Sequence, residues 1–137
     1  MRASVRKVFC LLIATGVLFA YVRGLDWVSN LRFEGIGFYF LLAFILSMSH
    51  EMLHALAWWY YGYFAIPIPI PIPPILGITI GSKPKTRSQN FIIFMAPVSL
   101  TVVCFLLGYT TGNKLYFAYG GFNLFGMIYD ILHAFRS

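Results

Sequence analysis

Residues 36–63 read IGFYFLLAFILSMSHEMLHALAWWYYGY, an apolar run that contains the motif H-E-x-x-H at residues 50–54. At a rise of about 1.5 Å per residue, one helix of this length can cross a membrane with some tilt. On that helix His50 and His54 point within roughly 40° of each other, so their imidazoles can hold one zinc ion. Glu51, on the adjacent side, can reach a water molecule on the metal. The run therefore predicts metal-assisted hydrolysis inside a bilayer.

The composition is typical of a membrane protein. Hydrophobic residues make up 60% of the chain and charged residues 10%, whereas soluble proteins carry about 25% charged residues. The 137 residues accommodate a single domain, 1–137, with about four spans of roughly 20 residues each. The net charge is +6, but the basic residues lie at segment ends and form no face for nucleic acid. We therefore predict an integral membrane protein that binds no nucleic acid.

Four apolar segments are predicted to be transmembrane helices. They lie at about 5–22, 36–63, 91–109 and 115–135, and a polar loop at 23–34 joins the first two. The first segment has the charged start of a signal peptide but no clear small-x-small cleavage site after it, which favours a retained span. Pro97 is expected to kink the third span and to free a backbone carbonyl.

The segment 66–81 is predicted to be extended, because its repeat IPIPIPIPP excludes an α-helix. In a strand, the isoleucines can pair on one edge while the prolines face the other edge, where they offer no N–H. Residues 75–80, ILGITI, are the candidate partner strand. A polyproline-type linker on the membrane surface is the alternative. The predicted fold class is an all-α membrane protein with a short β-hairpin-like insertion between spans two and three.

The basic residues predict the orientation of the spans. With a cytoplasmic amino terminus, that side holds seven of the ten basic residues and the opposite side holds three. The seven are Arg2, Arg6, Lys7, Lys83, Lys85, Arg87 and Arg136, and the three are Arg23, Arg32 and Lys114. This bias follows the positive-inside rule. It predicts a multi-pass protein of the cell membrane with both termini in the cytoplasm.

The four acidic residues predict a third metal ligand. Asp26 and Glu34 lie in the predicted external loop, whereas Glu51 and Asp130 lie inside predicted spans. A carboxylate at membrane depth is costly unless it is paired or binds a metal. Catalytic zinc takes three protein ligands, and Asp130 lies at a depth within about one helical turn of the histidine pair. Asp130 is therefore the preferred third ligand, and His133 is its competitor.

Three polar features leave alternatives open. Asn123 could position substrate or stabilise an oxyanion, or it could serve helix packing alone. The histidine pair could be a buried polar patch that hydroxyls and carbonyls satisfy without a metal. His133 could lie beside the metal site or at the level of the lipid headgroups.

With these motifs the chain resembles the site-2-protease-like intramembrane metalloproteases, and more closely the small putative zincin peptidase family. The resemblance covers about residues 36–135. It rests on HEMLH in a membrane helix, the non-helical insertion, the pair Ala96-Pro97 and the late Tyr129-Asp130-Ile131. It implies that His50, His54 and Asp130 hold zinc and that Glu51 is the general base.

The chain departs from the site-2 proteases in one motif. Residues 123–126 read Asn-Leu-Phe-Gly and lack the proline of the Asn-x-x-Pro motif. Ile131 replaces the glycine that follows the aspartate in those enzymes. The departure favours the putative zincin peptidase branch.

The predicted function is that of an intramembrane zinc metalloprotease with one Zn²⁺ per chain. A zinc-activated water would attack a peptide bond of a membrane-embedded or membrane-proximal protein or peptide, with Glu51 as general base. One alternative is a non-catalytic membrane protein that binds or carries a metal ion through the same ligands. Another is a structural or adaptor protein without a metal. Histidine–carboxylate sites also suit iron or manganese, and the sequence leaves the oligomeric state open.

Overall fold

The computed structural model describes residues 2–30, 35–72 and 75–135. Within these ranges the chain forms six helices and one antiparallel pair of strands. In chain order they are α1 Ala3–Ser29, α2 Ile36–Tyr60, β1 Ala65–Ile72, β2 Ile75–Gly81, α3 Arg87–Met95, α4 Val98–Thr111, α5 Lys114–Gly126 and α6 Ile128–Ala134.

Helix α2 lies at the centre of the structure. It contacts α1 on one side and both strands and α3 on others. A cluster of buried residues joins α1, α2 and α4, and it comprises Tyr21, Leu25, Leu46, Leu53, Leu56, Leu100 and Cys104. The helix that bears the H-E-x-x-H motif is therefore held from several directions.

Helix α1 is longer than predicted, because it continues to Ser29. The prediction of a loop at 23–34 is wrong for residues 23–29, and Glu34 and Arg32 lie outside the described residues. Tyr21, Leu25 and Val28 are spaced four and three residues apart and are all buried, so one apolar face extends past the predicted end. The Tyr116 hydroxyl donates a hydrogen bond to the carboxylate of Asp26, which gives that polar side chain a partner within the helix packing.

Two helices, α1 and α2, are long and apolar enough to cross a membrane. The pair α3 and α4, bent by 46°, makes a third candidate if it is one span. The segment predicted as a fourth span divides at Met127 into helices of 13 and 7 residues. The described residues are thus consistent with a membrane protein of two or three candidate spans, and the prediction of four is not confirmed.

The predicted hairpin at 66–81 is confirmed for the described residues, and Pro73 and Pro74 lie outside them. Strands β1 and β2 pair antiparallel, with Ile66 opposite Ile80 and Ile68 opposite Ile78. Because proline has no N–H, the amide donors that residues 66–69 can offer are those of the two isoleucines. These four isoleucines are exposed, whereas the opposite face of β2 lies against α2. The polyproline-type linker is therefore the wrong alternative.

Candidate metal centre

Helix α2 places the three motif side chains together in the interior. His50 is 1% exposed, and Glu51 and His54 are each 3% exposed. The two imidazole centroids lie 4.9 Å apart, as expected for residues four apart on one helical face. The helical spacing therefore accounts for the histidine pair without any tertiary contact.

Asp130 comes to this pair from α6. Its Oδ2 atom lies 3.0 Å from Nε2 of His50 and 3.1 Å from Nε2 of His54. One ligand atom from each of the three residues lies within 4.8 Å of the other two. Atoms that share one zinc ion at about 2 Å lie roughly 3 to 4 Å apart. In the part of the chain that the structure describes, this is the one group of three His, Cys, Asp or Glu side chains arranged in this way.

His54 is oriented by the break between α3 and α4. Pro97 has no N–H to donate to the carbonyl of Ile93 four residues earlier. That carbonyl lies 2.8 Å from Nδ1 of His54, and a carbonyl only accepts, so Nδ1 carries the proton. The carbonyl that Pro97 was expected to free is therefore that of Ile93, and it accepts a hydrogen bond from His54. In the neutral ring, Nε2 then presents its lone pair toward Asp130.

Asn123 orients His50 in the same way. Its Nδ2 donates to the carbonyl of Pro97 and to Oγ1 of Thr101, each at 2.9 Å. Its Oδ1 therefore faces His50 and accepts from Nδ1 at 2.9 Å. Both histidines thus hold their protons on Nδ1 and direct Nε2 at the same carboxylate. Because both amide hydrogens of Asn123 have acceptors, no N–H remains for the oxyanion role that the sequence left open.

This donor set fits a zinc ion. Nε2 of His54 is buried and forms no aligned hydrogen bond, although it lies 3.1 Å from the Asp130 oxygen. When both rings are neutral, their Nε2 lone pairs are repelled by the carboxylate oxygen they face, and a cation bound between them removes this repulsion. Two imidazoles and one carboxylate, with a cavity beside them, are the ligand set of a catalytic zinc site with one open position.

Glu51 lies beside these candidate ligands and is not one of the three. Its Oε1 lies 3.9 Å from Nε2 of His50, and its Oε2 accepts a hydrogen bond from the Thr79 hydroxyl at 2.5 Å. One carboxylate oxygen is therefore held by β2 while the other is nearest to the ligand atoms. A general base in a zinc hydrolase needs this placement.

A cavity of about 710 Å³ opens onto the ligands and Glu51. Its other walls are mostly apolar and include Trp58, Ile78, Phe94, Phe125, Ile128 and Leu132. A volume of this size can admit a few residues of a peptide, since ligand sites span roughly 300 to 1,000 Å³.

His133 also lines this cavity, but it lies outside the group of three. Its ring stacks on Phe94, with centroids 5.3 Å apart, and contacts the ring of Tyr129 at 4.3 Å. The structure brings Asp130, rather than His133, to the two histidine nitrogens.

Thr79 is the site residue that the sequence analysis missed. A signal for it exists, because strand alternation places Thr79 on the face opposite Ile78 and Ile80. It is the one hydroxyl in the run ILGITI. Only the packing of β2 on α2 shows that this hydroxyl meets Glu51.

A family model described as "putative zincin peptidase" matches residues 39–136. The matched region is most of the chain and includes both histidines, Glu51 and Asp130. The chain belongs to the putative zincin peptidase family. No significant match was found among curated proteins or among solved structures. The predicted resemblance to this zincin family is confirmed, and the wider likeness to site-2 proteases stays a prediction.

Asn123→Leu is expected to weaken zinc binding by this zincin-family chain by about 10- to 100-fold, the usual effect of losing a partner that orients a ligand. The His50 ring loses its acceptor at Nδ1 and becomes free to turn. The dissociation constant is measured by competition with a chromophoric chelator. Asn30→Leu, which makes the same change at an exposed position just after α1, is the matched control and retains the affinity. Equal affinity in Asn123→Leu and the wild type would contradict the orienting role.

Proposed function

We propose that this chain is an intramembrane zinc peptidase that hydrolyses a peptide bond of a membrane-embedded or membrane-proximal substrate. The observation that supports it best is the convergence of three atoms beside Glu51. These are Nε2 of His50 and Nε2 of His54, which lie 3.0 and 3.1 Å from Oδ2 of Asp130. Membership of a zincin peptidase family supports the reaction class.

The side chains divide the chemistry between them. Zinc, when bound, supplies a Lewis acid that makes a water molecule more acidic and polarises the scissile carbonyl. Glu51 accepts the proton of the attacking water through Oε1 and then delivers it to the leaving amine. His50, His54 and Asp130 hold the metal, and the contacts to Asn123 and to the Ile93 carbonyl keep both imidazoles in one tautomer.

The membrane position is part of the proposal. Helix α2, which bears the motif, is itself a candidate span, so hydrolysis would take place at membrane depth. The distribution of basic residues supports a multi-pass protein of the cell membrane with both termini in the cytoplasm. Arg32 and Arg136, which contribute to this distribution, lie outside the described residues.

The hairpin offers a way to hold the substrate. Within the described residues the sheet has two strands, so one edge of β2 has no strand partner. Gly77, Ile78 and Thr79 of this strand line the cavity. We propose that an unwound substrate segment pairs with β2 as an added strand. Such pairing presents main-chain carbonyls to the metal ligands and exposes the peptide bond that a helix would hide.

The proposal is tested with the full-length chain purified in detergent and loaded with zinc. The protein is incubated with a mixture of synthetic peptides of single-span membrane segments, and new termini are identified by mass spectrometry. We expect cleavage that a zinc chelator abolishes and added zinc restores. A chain that binds about one zinc ion yet cleaves no peptide would favour the alternative of a metal-carrying protein.

A further inference from the structure

Strand β2 lies directly on the general base of the proposed reaction. The Thr79 hydroxyl donates to Oε2 of Glu51 at 2.5 Å and lies 3.4 Å from the Glu51 main-chain oxygen. Two residues earlier, Gly77 has φ +145°, and a Cβ there would lie 2.6 Å from Cγ of Glu51 and 2.5 Å from the main-chain oxygen of Ile68. The backbone at Gly77 therefore lies so close to Glu51 that no side chain fits between them. The one hydroxyl of the strand, on Thr79, donates to the Glu51 carboxylate.

The two oxygens of Glu51 have different surroundings. Oε2 is held by Thr79, while Oε1 lies 3.9 Å from Nε2 of His50. A glutamate side chain has three rotatable bonds, and a hydrogen bond at one oxygen restricts them and fixes the direction of the other oxygen. The geometry makes the hydrogen bond at Oε2 the contact that directs Oε1 toward the metal ligands.

We propose that Thr79 is a positioning residue for Glu51, and that through it the hairpin is coupled to the general base. The inference rests on the proposed function, because it assigns Glu51 the role of base. The same strand lines the cavity through Gly77 and Ile78. A peptide that pairs with β2 would therefore be aligned by the same strand that holds Glu51. Substrate alignment and base alignment then depend on a single element.

The first test compares Thr79→Val with Thr79→Ser in the zinc-loaded full chain. Valine keeps the shape and the strand preference of threonine but removes the donor, whereas serine keeps the donor. We expect Thr79→Val to lower kcat by about 10- to 100-fold, the range for a lost hydrogen bond to a charged group. KM and zinc content stay unchanged, and Thr79→Ser recovers most of the rate. Thr110→Val makes the same change on the exposed end of α4 and retains full activity.

A second measurement does not depend on hydrolysis. Hydrogen exchange of the β2 amides is followed by mass spectrometry in Thr79→Val, Glu51→Ala and the double variant. If the side chains hold each other, each single variant speeds exchange several-fold and the double variant is no faster than the faster single one.

The outcomes separate this inference from the proposed function. A wild-type kcat in Thr79→Val, or exchange rates whose changes multiply in the double variant, would overturn the positioning role while leaving the peptidase proposal intact. Coupled exchange in a chain that cleaves no peptide would overturn the peptidase proposal and keep the contact between Thr79 and Glu51.

Discussion

Glu51→Gln is expected to lower peptide hydrolysis by about 10²- to 10⁴-fold, the range for loss of a general base, with zinc content unchanged. The amide is nearly isosteric with the carboxylate but cannot accept the proton of the attacking water. Because Glu51 is not in the group of three candidate ligands, we expect about one zinc ion per chain to remain. Zinc is measured by elemental analysis and hydrolysis by mass spectrometry of the peptide products.

The control for this variant is Asp26→Asn, which replaces another carboxylate by an amide. Asp26 lies near the end of α1 and accepts from Tyr116, away from the cavity lining. We expect Asp26→Asn to keep both zinc and hydrolysis. If Glu51→Gln hydrolysed peptides at the wild-type rate, Glu51 would not be the base. A function that persists in Glu51→Gln with zinc still bound would favour the metal-carrying alternative.

Asp130→Ala is expected to reduce the zinc content from about one ion per chain to a small fraction of that value, because a catalytic zinc site has three protein ligands. Oδ2 of this aspartate lies 3.0 and 3.1 Å from the two Nε2 atoms. His54→Ala removes a second ligand and has the same effect. Zinc in each purified variant is measured by elemental analysis after dialysis against metal-free buffer.

His133→Ala is the matched control, since His133 lines the same cavity one turn after Asp130 but stacks on Phe94. It is expected to retain zinc. Zinc kept in Asp130→Ala but lost in His54→Ala and His133→Ala would make His133 the third ligand instead of Asp130. A wild-type chain that takes up no zinc on reconstitution would contradict the metal site altogether.

Several features of the fold were predictable because they depend on neighbouring residues. The H-E-x-x-H spacing puts two histidines on one helical face whatever packs against it. The repeated prolines at 67, 69 and 71 exclude a helix and leave only the isoleucine amides for pairing, whereas the pairing of the two strands decides between a hairpin and a polyproline-type linker. Pro97 breaks the third apolar segment for the same reason.

Other predictions failed or stayed open where partners are distant in the chain. The segment 23–29 was expected to form a polar loop. Its apolar residues Leu25 and Val28 are buried, however, and keep α1 helical to Ser29. The fourth apolar segment divides at Met127, for which the sequence contains no proline signal.

The sequence by itself determined the helix with the histidine pair, the exclusion of a helix from the proline repeat and the type of ligands that a metal would meet, because each depends on residues within a few positions of one another. Only the tertiary structure decided that Asp130 rather than His133 meets the histidines. It also decided that Asn123 and the Ile93 carbonyl fix their tautomers and that Thr79 holds Glu51. These contacts join residues 28 to 80 positions apart. They follow from how α3 and β2 pack on α2, α5 on α4 and α6 on α3, which no local periodicity specifies.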